Sequence, residues 1–197
     1  IVAYVFEKFL ESVPDDFEKR EGLLFVGGFA HPPNADAVLW FAREIFPKIR
    51  EKLEIPFYIV GSKVTEEIQA LEQPGNGIIV KGFVSEEELS ELYRTCRIVV
   101  VPLRYGAGVK GKVIEALYNG APVVTTSIGA EGIAEAESVM CIKDAPEEFA
   151  EETVRLYQDP ESLRELSRKT QDYIRKYYSV DAAWSVVKED FRGMEKI

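Results

Sequence analysis

Histidine is nearly missing from this chain: His31 is the single one in 197 residues. Cysteine is almost as scarce, with only Cys96 and Cys141, and neither lies in a CxxC pair or at ligand spacing from a histidine. They read as buried thiols of a reducing cytosol, so neither a disulfide nor a zinc site is expected. No Asp-x-Asp stands beside a strand end and no histidine–carboxylate cluster has ligand spacing, so no metal is expected. Positive charge is in short supply: 24 Lys and Arg face 34 Asp and Glu, a net charge of −10. A surface of that sign repels nucleic acid, which is excluded as a partner. No apolar run is long enough to cross a bilayer, and no basic segment precedes an apolar stretch as in a leader. The chain opens on Ile1 rather than Met, and the expectation is a piece of a longer protein.

What is present is ordinary for a globular chain: 46% hydrophobic and 29% charged residues, in a length that buries a full core without staples. Residues 1–22 are charged and loosely patterned, broken at Pro14-Asp15-Asp16, and read as a linker or edge segment. From Leu23 onward, short β-rich runs at 23–26, 56–60, 77–81, 98–103, 122–126 and 139–142 alternate with helical patterns. These runs are continuously apolar, as in a parallel sheet covered on both faces. Residues 23–197 therefore form one doubly wound, Rossmann-like α/β domain of about six strands with a helical C-terminal tail. Asn34 is expected to cap a helix reaching about Leu53, kinked at Pro47. Ser85 with Glu88 makes a capping box for a helix over Glu86–Thr95, and Asp159-Pro160 opens another. That helix carries a core stripe of Leu163, Leu166, Tyr173, Ile174 and Tyr177; a last one carries Val180, Trp184, Val187 and Phe191.

The segment with chemistry in it runs from Val101 to Leu117: a strand end, a glycine-rich turn, then a helix. Ligands of open α/β sheets bind beyond the carboxyl ends of strands, where a helix start offers free N–H groups. Gly106 and Gly108 let that backbone approach a phosphate closely. The run from Ile98 to Ile114 has no acidic residue in a strongly acidic chain. Arg104, Lys110 and Lys112 thus concentrate positive charge suited to a diphosphate. Glu115 shares a helix face with Gly111 and Gly108. That face is expected to be bare, so a flat ligand can lie along it and give two sugar hydroxyls to the carboxylate. A bland alternative stands for each: Glu115 pairing with Lys112 or Lys110, a solvated basic cluster, and glycines serving only strand–helix packing.

The run Arg104-Tyr105-Gly106-Ala107-Gly108-Val109-Lys110-Gly111-Lys112-Val113-Ile114-Glu115-Ala116 resembles the signature of group 1 (family four) glycosyltransferases. It continues through Gly120-Ala121-Pro122-Val123-Val124-Thr125-Thr126 to Gly129-Ala130-Glu131-Gly132. Phe25-Val26-Gly27-Gly28-Phe29, His31-Pro32-Pro33-Asn34, Trp40-Phe41, Lys81-Gly82-Phe83-Val84, Leu89 and Tyr93 add to the resemblance, which covers nearly everything after Gly22. It implies the GT-B architecture, two Rossmann-like domains facing across a cleft, with the C-terminal one holding a nucleoside diphosphate sugar. It also implies transfer with retention of configuration and without a bound metal or other cofactor. By position, Glu115 matches the glutamate that holds the donor ribose. Gly106, Ala107, Gly108 and Val109 match the loop facing the donor sugar and phosphates, and Gly82, Phe83 and Val84 the turn beside the nucleobase.

Three departures qualify this. Many members carry a second glutamate eight positions before the ribose-binding one, where this chain has Ala107. Many clamp the diphosphate with an Arg and a Lys after the first strand, and the matching positions here are Gly28 and Pro33. Arg104 and Lys110, above all Lys110, are the residues expected to supply that charge. Lys112, Glu131 and His31 are weaker candidates for donor contacts, with a surface pair to Glu115 as the alternative for Lys112 and a plain loop role for the other two. The catalytic residues are unknown, since acceptor-side groups come from the other domain. The expected protein is a donor-binding half whose acceptor domain lies outside the chain, in the cytoplasm, with any membrane contact through that remainder. The alternative function is a non-catalytic nucleotide-sugar-binding module, kept open by Ala107. A sugar-nucleotide epimerase on the same plan would need catalytic acids and histidines that one histidine cannot furnish.

Overall fold

The computed structural model describes residues 4–12 and 14–192. Six strands form one sheet: β1 (Leu23–Val26), β2 (Phe57–Val60), β3 (Ile78–Gly82), β4 (Ile98–Val101), β5 (Val123–Thr125) and β6 (Cys141–Ile142). All pairings are parallel, in the order β3-β2-β1-β4-β5-β6. The doubly wound fold is therefore as the apolar runs implied. β4 shows why those runs are continuous: Ile98, Val99, Val100 and Val101 are all buried, because helices cover both faces. Right-handed crossovers put the helices before β2 and β3 on one face and those before β4 and β5 on the other. The winding reverses between β1 and β4, so a crevice opens beyond their carboxyl ends.

The first helical region departs from expectation. α1 (Pro32–Trp40) starts two residues before Asn34, with His31 in the cap position and no side-chain cap. Proline suits the first helical turn because it has no N–H to leave unbonded. Asn34 sits inside that turn and donates its side-chain N–H to the Gly28 carbonyl at 2.8 Å. The irregularity expected at Pro47 is taken up ahead of it by a π-helical turn, Phe41–Ile45, leading into α2 (Phe46–Arg50). α3 (Glu66–Gln69) is a single capped turn. α4 (Glu86–Thr95) has half of its capping box: Ser85 Oγ accepts from the Glu88 N–H at 3.1 Å, while Glu88 pairs with Lys81 instead.

α5 (Gly111–Tyr118) follows the glycine loop. The last strand is shorter than 139–142, because Val139 closes a 3-10 turn over Ala136–Ser138. α6 (Pro146–Tyr157) did not stand out in the sequence, although Pro146, Glu147 and Glu148 make a good helix start. α7 (Pro160–Tyr178), capped by Asp159, buries Leu163, Tyr173 and Ile174 and half-buries Leu166 and Tyr177. It also holds the far end of α5. Gln171 donates to the Leu117 and Tyr118 carbonyls, each at 3.1 Å, and Ser167 to the Gly120 carbonyl at 2.7 Å. α8 (Val180–Arg192) leaves Trp184 exposed; the side chains of Val187 and Phe191 lie outside the described set.

The expected linker packs onto the domain as a strap. The Phe6 N–H donates to the Tyr178 carbonyl at 2.8 Å, and the Phe6 ring stacks on Tyr118 at 4.0 Å. Leu10 and Pro14 lie against Gly120, and Phe17 is fully buried. Cys96 is buried and Cys141 half-buried, both free, with burial pushing each thiol up to about 12.

Candidate functional site

The crevice between β1 and β4 is walled by residues 27–31 on one side and by residues 102–110 with the start of α5 on the other. Two side-chain struts cross it. At the rim, Arg104 forms an ion pair with Asp36 of α1 (Nε to Oδ2 2.9 Å) and lies over the Trp40 ring. Deeper, Lys112 reaches from the first turn of α5 to Asn34 Oδ1, its ammonium 4.6 Å from the Phe25 ring centre. The glycines after β1 make room for it, since a Cβ on Gly27 would stand 2.6 Å from Lys112 Nζ. Burial without a carboxylate partner lowers the Lys112 amine from its ordinary range to about 7. Among the described residues Lys112 makes no ion pair.

The glycine loop is held rather than loose. Gly106 faces Pro33, which a Cβ built on it would meet at 3.6 Å, and has a φ of +123°, a conformation that favours glycine. Gly108 is also left-handed, and nothing would meet a side chain there. Ala107 and Val109 are exposed. Lys110 turns back to the Gly108 carbonyl and to Glu131 at 3.0 Å, with only 10% of its side chain exposed. Both cations expected to face a diphosphate are thus already paired, Arg104 with Asp36 and Lys110 with Glu131. His31 is exposed at the cap of α1, its N–H bonded to the Gly28 carbonyl.

Glu115 is half-buried on α5, and its carboxylate makes no hydrogen bond or ion pair among the described residues. Pairing with Lys110 or Lys112, the bland alternative, is absent there. Burial raises its carboxyl above the usual range. Its charge adds to burial in raising the Tyr93 phenol, whose hydroxyl is buried without a partner among the described residues.

One expectation fails here: the face above Glu115 is not bare. The Tyr4 hydroxyl lies directly on Gly111, where any side chain would collide with it. Gly111, Glu115 and Tyr118 share one helix face, and Phe6 covers the Tyr118 end. The strap therefore runs along the very stripe that the glycines leave open. Farther along the carboxyl edge, Gly82 turns the chain out of β3 at φ +67° and leaves Phe83 82% exposed, while Val84 packs on the core. A cavity of about 630 Å³ lined by Arg50, Gln73 and Ile78 lies at the opposite, amino ends of β2 and β3. The crevice, by contrast, is where this fold class places ligands.

Asn34, Asp36 and Tyr4 are the site residues that the sequence did not signal. Asn34 and Asp36 gain their meaning from strand order alone, and Tyr4 from a contact spanning more than a hundred residues. No group of three or more His, Cys, Asp or Glu able to hold a metal occurs among the described residues, and no helix there is long and apolar enough to cross a membrane.

The parallel sheet, its reversal between β1 and β4 and the glycine loop leading into α5 define a Rossmann-like domain of the GT-B glycosyltransferase kind. The chain belongs to the family described as Glycosyl transferases group 1, whose profile matches residues 20–159. A Klebsiella pneumoniae protein described as an uncharacterized 44.6 kDa protein in the cps region is 28% identical over 173 residues, covering 84% of this chain and 44% of that one. A mutant of S. aureus TarM solved with fondaparinux, alpha-GlcNAc-glycerol and UDP superposes with a TM-score of 0.71 at 18% identity, over 90% of this chain and 37% of that one. Sucrose-phosphate synthase of Thermosynechococcus elongatus gives 0.69 at 18% identity, over 92% and 46%. The chain thus spans less than half the length of each of these three. The C-terminal domain of a group 1 glycosyltransferase (LpcC) of Francisella tularensis gives 0.67 at 17% identity, over 91% of this chain and 97% of that domain.

Proposed function

We propose that this chain is the donor-binding half of a retaining glycosyltransferase, holding a nucleoside diphosphate sugar in the β1–β4 crevice. The observation that carries the reading is Glu115: a half-buried carboxylate, unpaired among the described residues, on the helix behind the glycine loop. A buried carboxylate without a partner is costly, and two ribose hydroxyls would supply the missing hydrogen bonds. The phosphates and sugar then face the backbone of Gly106, Ala107, Gly108 and Val109, and the base lies toward Gly82, Phe83 and Val84. Exposed Phe83 offers that base an aromatic face. No metal takes part, and acceptor groups come from a domain outside the chain. The UDP named with the TarM structure supports a nucleotide ligand of this kind.

Calorimetric titration with UDP-, GDP-, ADP- and TDP-sugars tests the proposal, and failure of all four to bind would end it. A second reading, a nucleotide-sugar-binding module without turnover, draws on Ala107: no carboxylate stands at that position, and Glu131 nearby is tied to Lys110. Product formation by the full-length protein with a bound donor decides between the two.

A further inference from the structure

Lys112 is an unusual use of a lysine. It sits in the crevice rather than on the rim, its stem crosses from α5 to α1, and its one hydrogen-bond acceptor is a neutral amide. Asn34 is locked in that role, because its own N–H is bonded to the Gly28 carbonyl and its oxygen must point at Lys112. An ammonium has three donors, and only one of them is used here. Gly27 admits Nζ at this place, because a Cβ there would stand 2.6 Å from it. Gly28 and Pro33, the positions matching the basic pair of many family members, lie on the same side of the crevice as Asn34 and bring no charge to it.

We propose that Lys112 is the counter-charge for the donor's diphosphate, and that it takes up a proton as the diphosphate arrives. This rests on the donor-site reading above. Arg104 and Lys110 are unsuited to the task, since each would have to leave a carboxylate. Titratable or charged groups on the elements around Lys112 are His31, Asp36, Arg104, Lys110, Tyr4 and, on its own helix, Glu115. None of them is hydrogen-bonded to it, and burial alone lowers its amine to about 7. In the empty site the amine is therefore largely neutral above that pH. A dianionic group beside it favours the charged form and raises its proton affinity, so binding and protonation are linked.

The test is calorimetric titration of the 197-residue chain at pH 8 with UDP, GDP, ADP and TDP and with the matching nucleosides, in two buffers of different ionisation enthalpy. The expected result is uptake of nearly one proton with the diphosphate that binds and none with its nucleoside. Lys112→Gln should abolish the uptake and weaken the diphosphate by tenfold or more, leaving the nucleoside unaffected. Asn34→Asp gives a second arm: a carboxylate beside Nζ protonates it in advance, so uptake should vanish and diphosphate affinity fall although the lysine remains. Wild-type diphosphate affinity in Lys112→Gln, or uptake that persists in it, overturns the assignment alone. Absence of binding by every nucleotide overturns the donor-site reading and this assignment with it.

Discussion

Replacing Lys112 by methionine should make the empty domain more stable, although it removes a hydrogen bond and a cation–π contact. The amine is lowered from 10.5 to about 7 by burial. At about 1.4 kcal/mol for each tenfold change in proton affinity, that burial costs roughly 4 kcal/mol at pH 7. Methionine fills the same channel past Phe25 without the cost. It leaves the Asn34 oxygen unpartnered, a penalty of about 1–3 kcal/mol. The net gain is on the order of 2 kcal/mol, or roughly 4–8 °C in Tm for a domain of this size. The sign follows from linkage. Below about pH 7 the lysine is charged in both folded and unfolded chains and the cost is complete. Between there and 10.5 the unfolded chain holds the extra proton, so wild-type stability rises with pH. The gap between variant and wild type should therefore shrink from pH 7 to pH 10, followed by calorimetric melting at each pH. A variant that melts below wild type at pH 7, or a gap that stays constant, would refute the account of a largely buried amine without an ion partner.

Glu115→Ala should weaken nucleotide binding roughly ten- to a hundredfold, because bonds to a charged group are worth about 1.5–3 kcal/mol; Glu115→Gln should cost less, and titration beside a melting curve no lower than wild type checks both. Tyr4→Ala, which uncovers Gly111, should tighten nucleotide binding, and equal or weaker affinity would show that the strap does not compete with the ligand. Donor binding should survive EDTA and weaken with salt; loss on chelation with rescue by Mg²⁺ or Mn²⁺ would defeat the metal-free reading. The chain alone should bind donor yet transfer sugar poorly, since half a cleft cannot orient an acceptor; robust product seen by mass spectrometry would contradict that.

The sheet was legible because continuous apolar runs such as Ile98–Val101 have few other uses in a chain of this length. Helix boundaries were less so. Asn34 has the chemistry of a cap, and only the two prolines before it reveal that the helix has already begun. In the site, the glycine loop and Glu115 could be read directly, because their spacing along one helix is local information. The partners of the basic residues could not. Arg104 and Lys110 look free in sequence, but Asp36 lies 68 residues away from one and Glu131 lies 21 away from the other. Lys112 looked like the least of the three for the same reason: nothing local says that α5 aims it across β1 toward Asn34.

The family's recognisable stretch ends at residue 159, yet the helix that finishes the site begins at residue 160. Gln171 and Ser167 satisfy the carbonyls at the end of α5 and the turn after it. Without α7 those carbonyls would face water or go unbonded, and the short α5 would lose its anchor. A fragment trimmed to the recognisable stretch would keep every residue that looks functional while losing what aims Lys112 and Glu115. The unit that folds and the unit that is recognised are different lengths of chain, and the positions of those two side chains belong to the longer one.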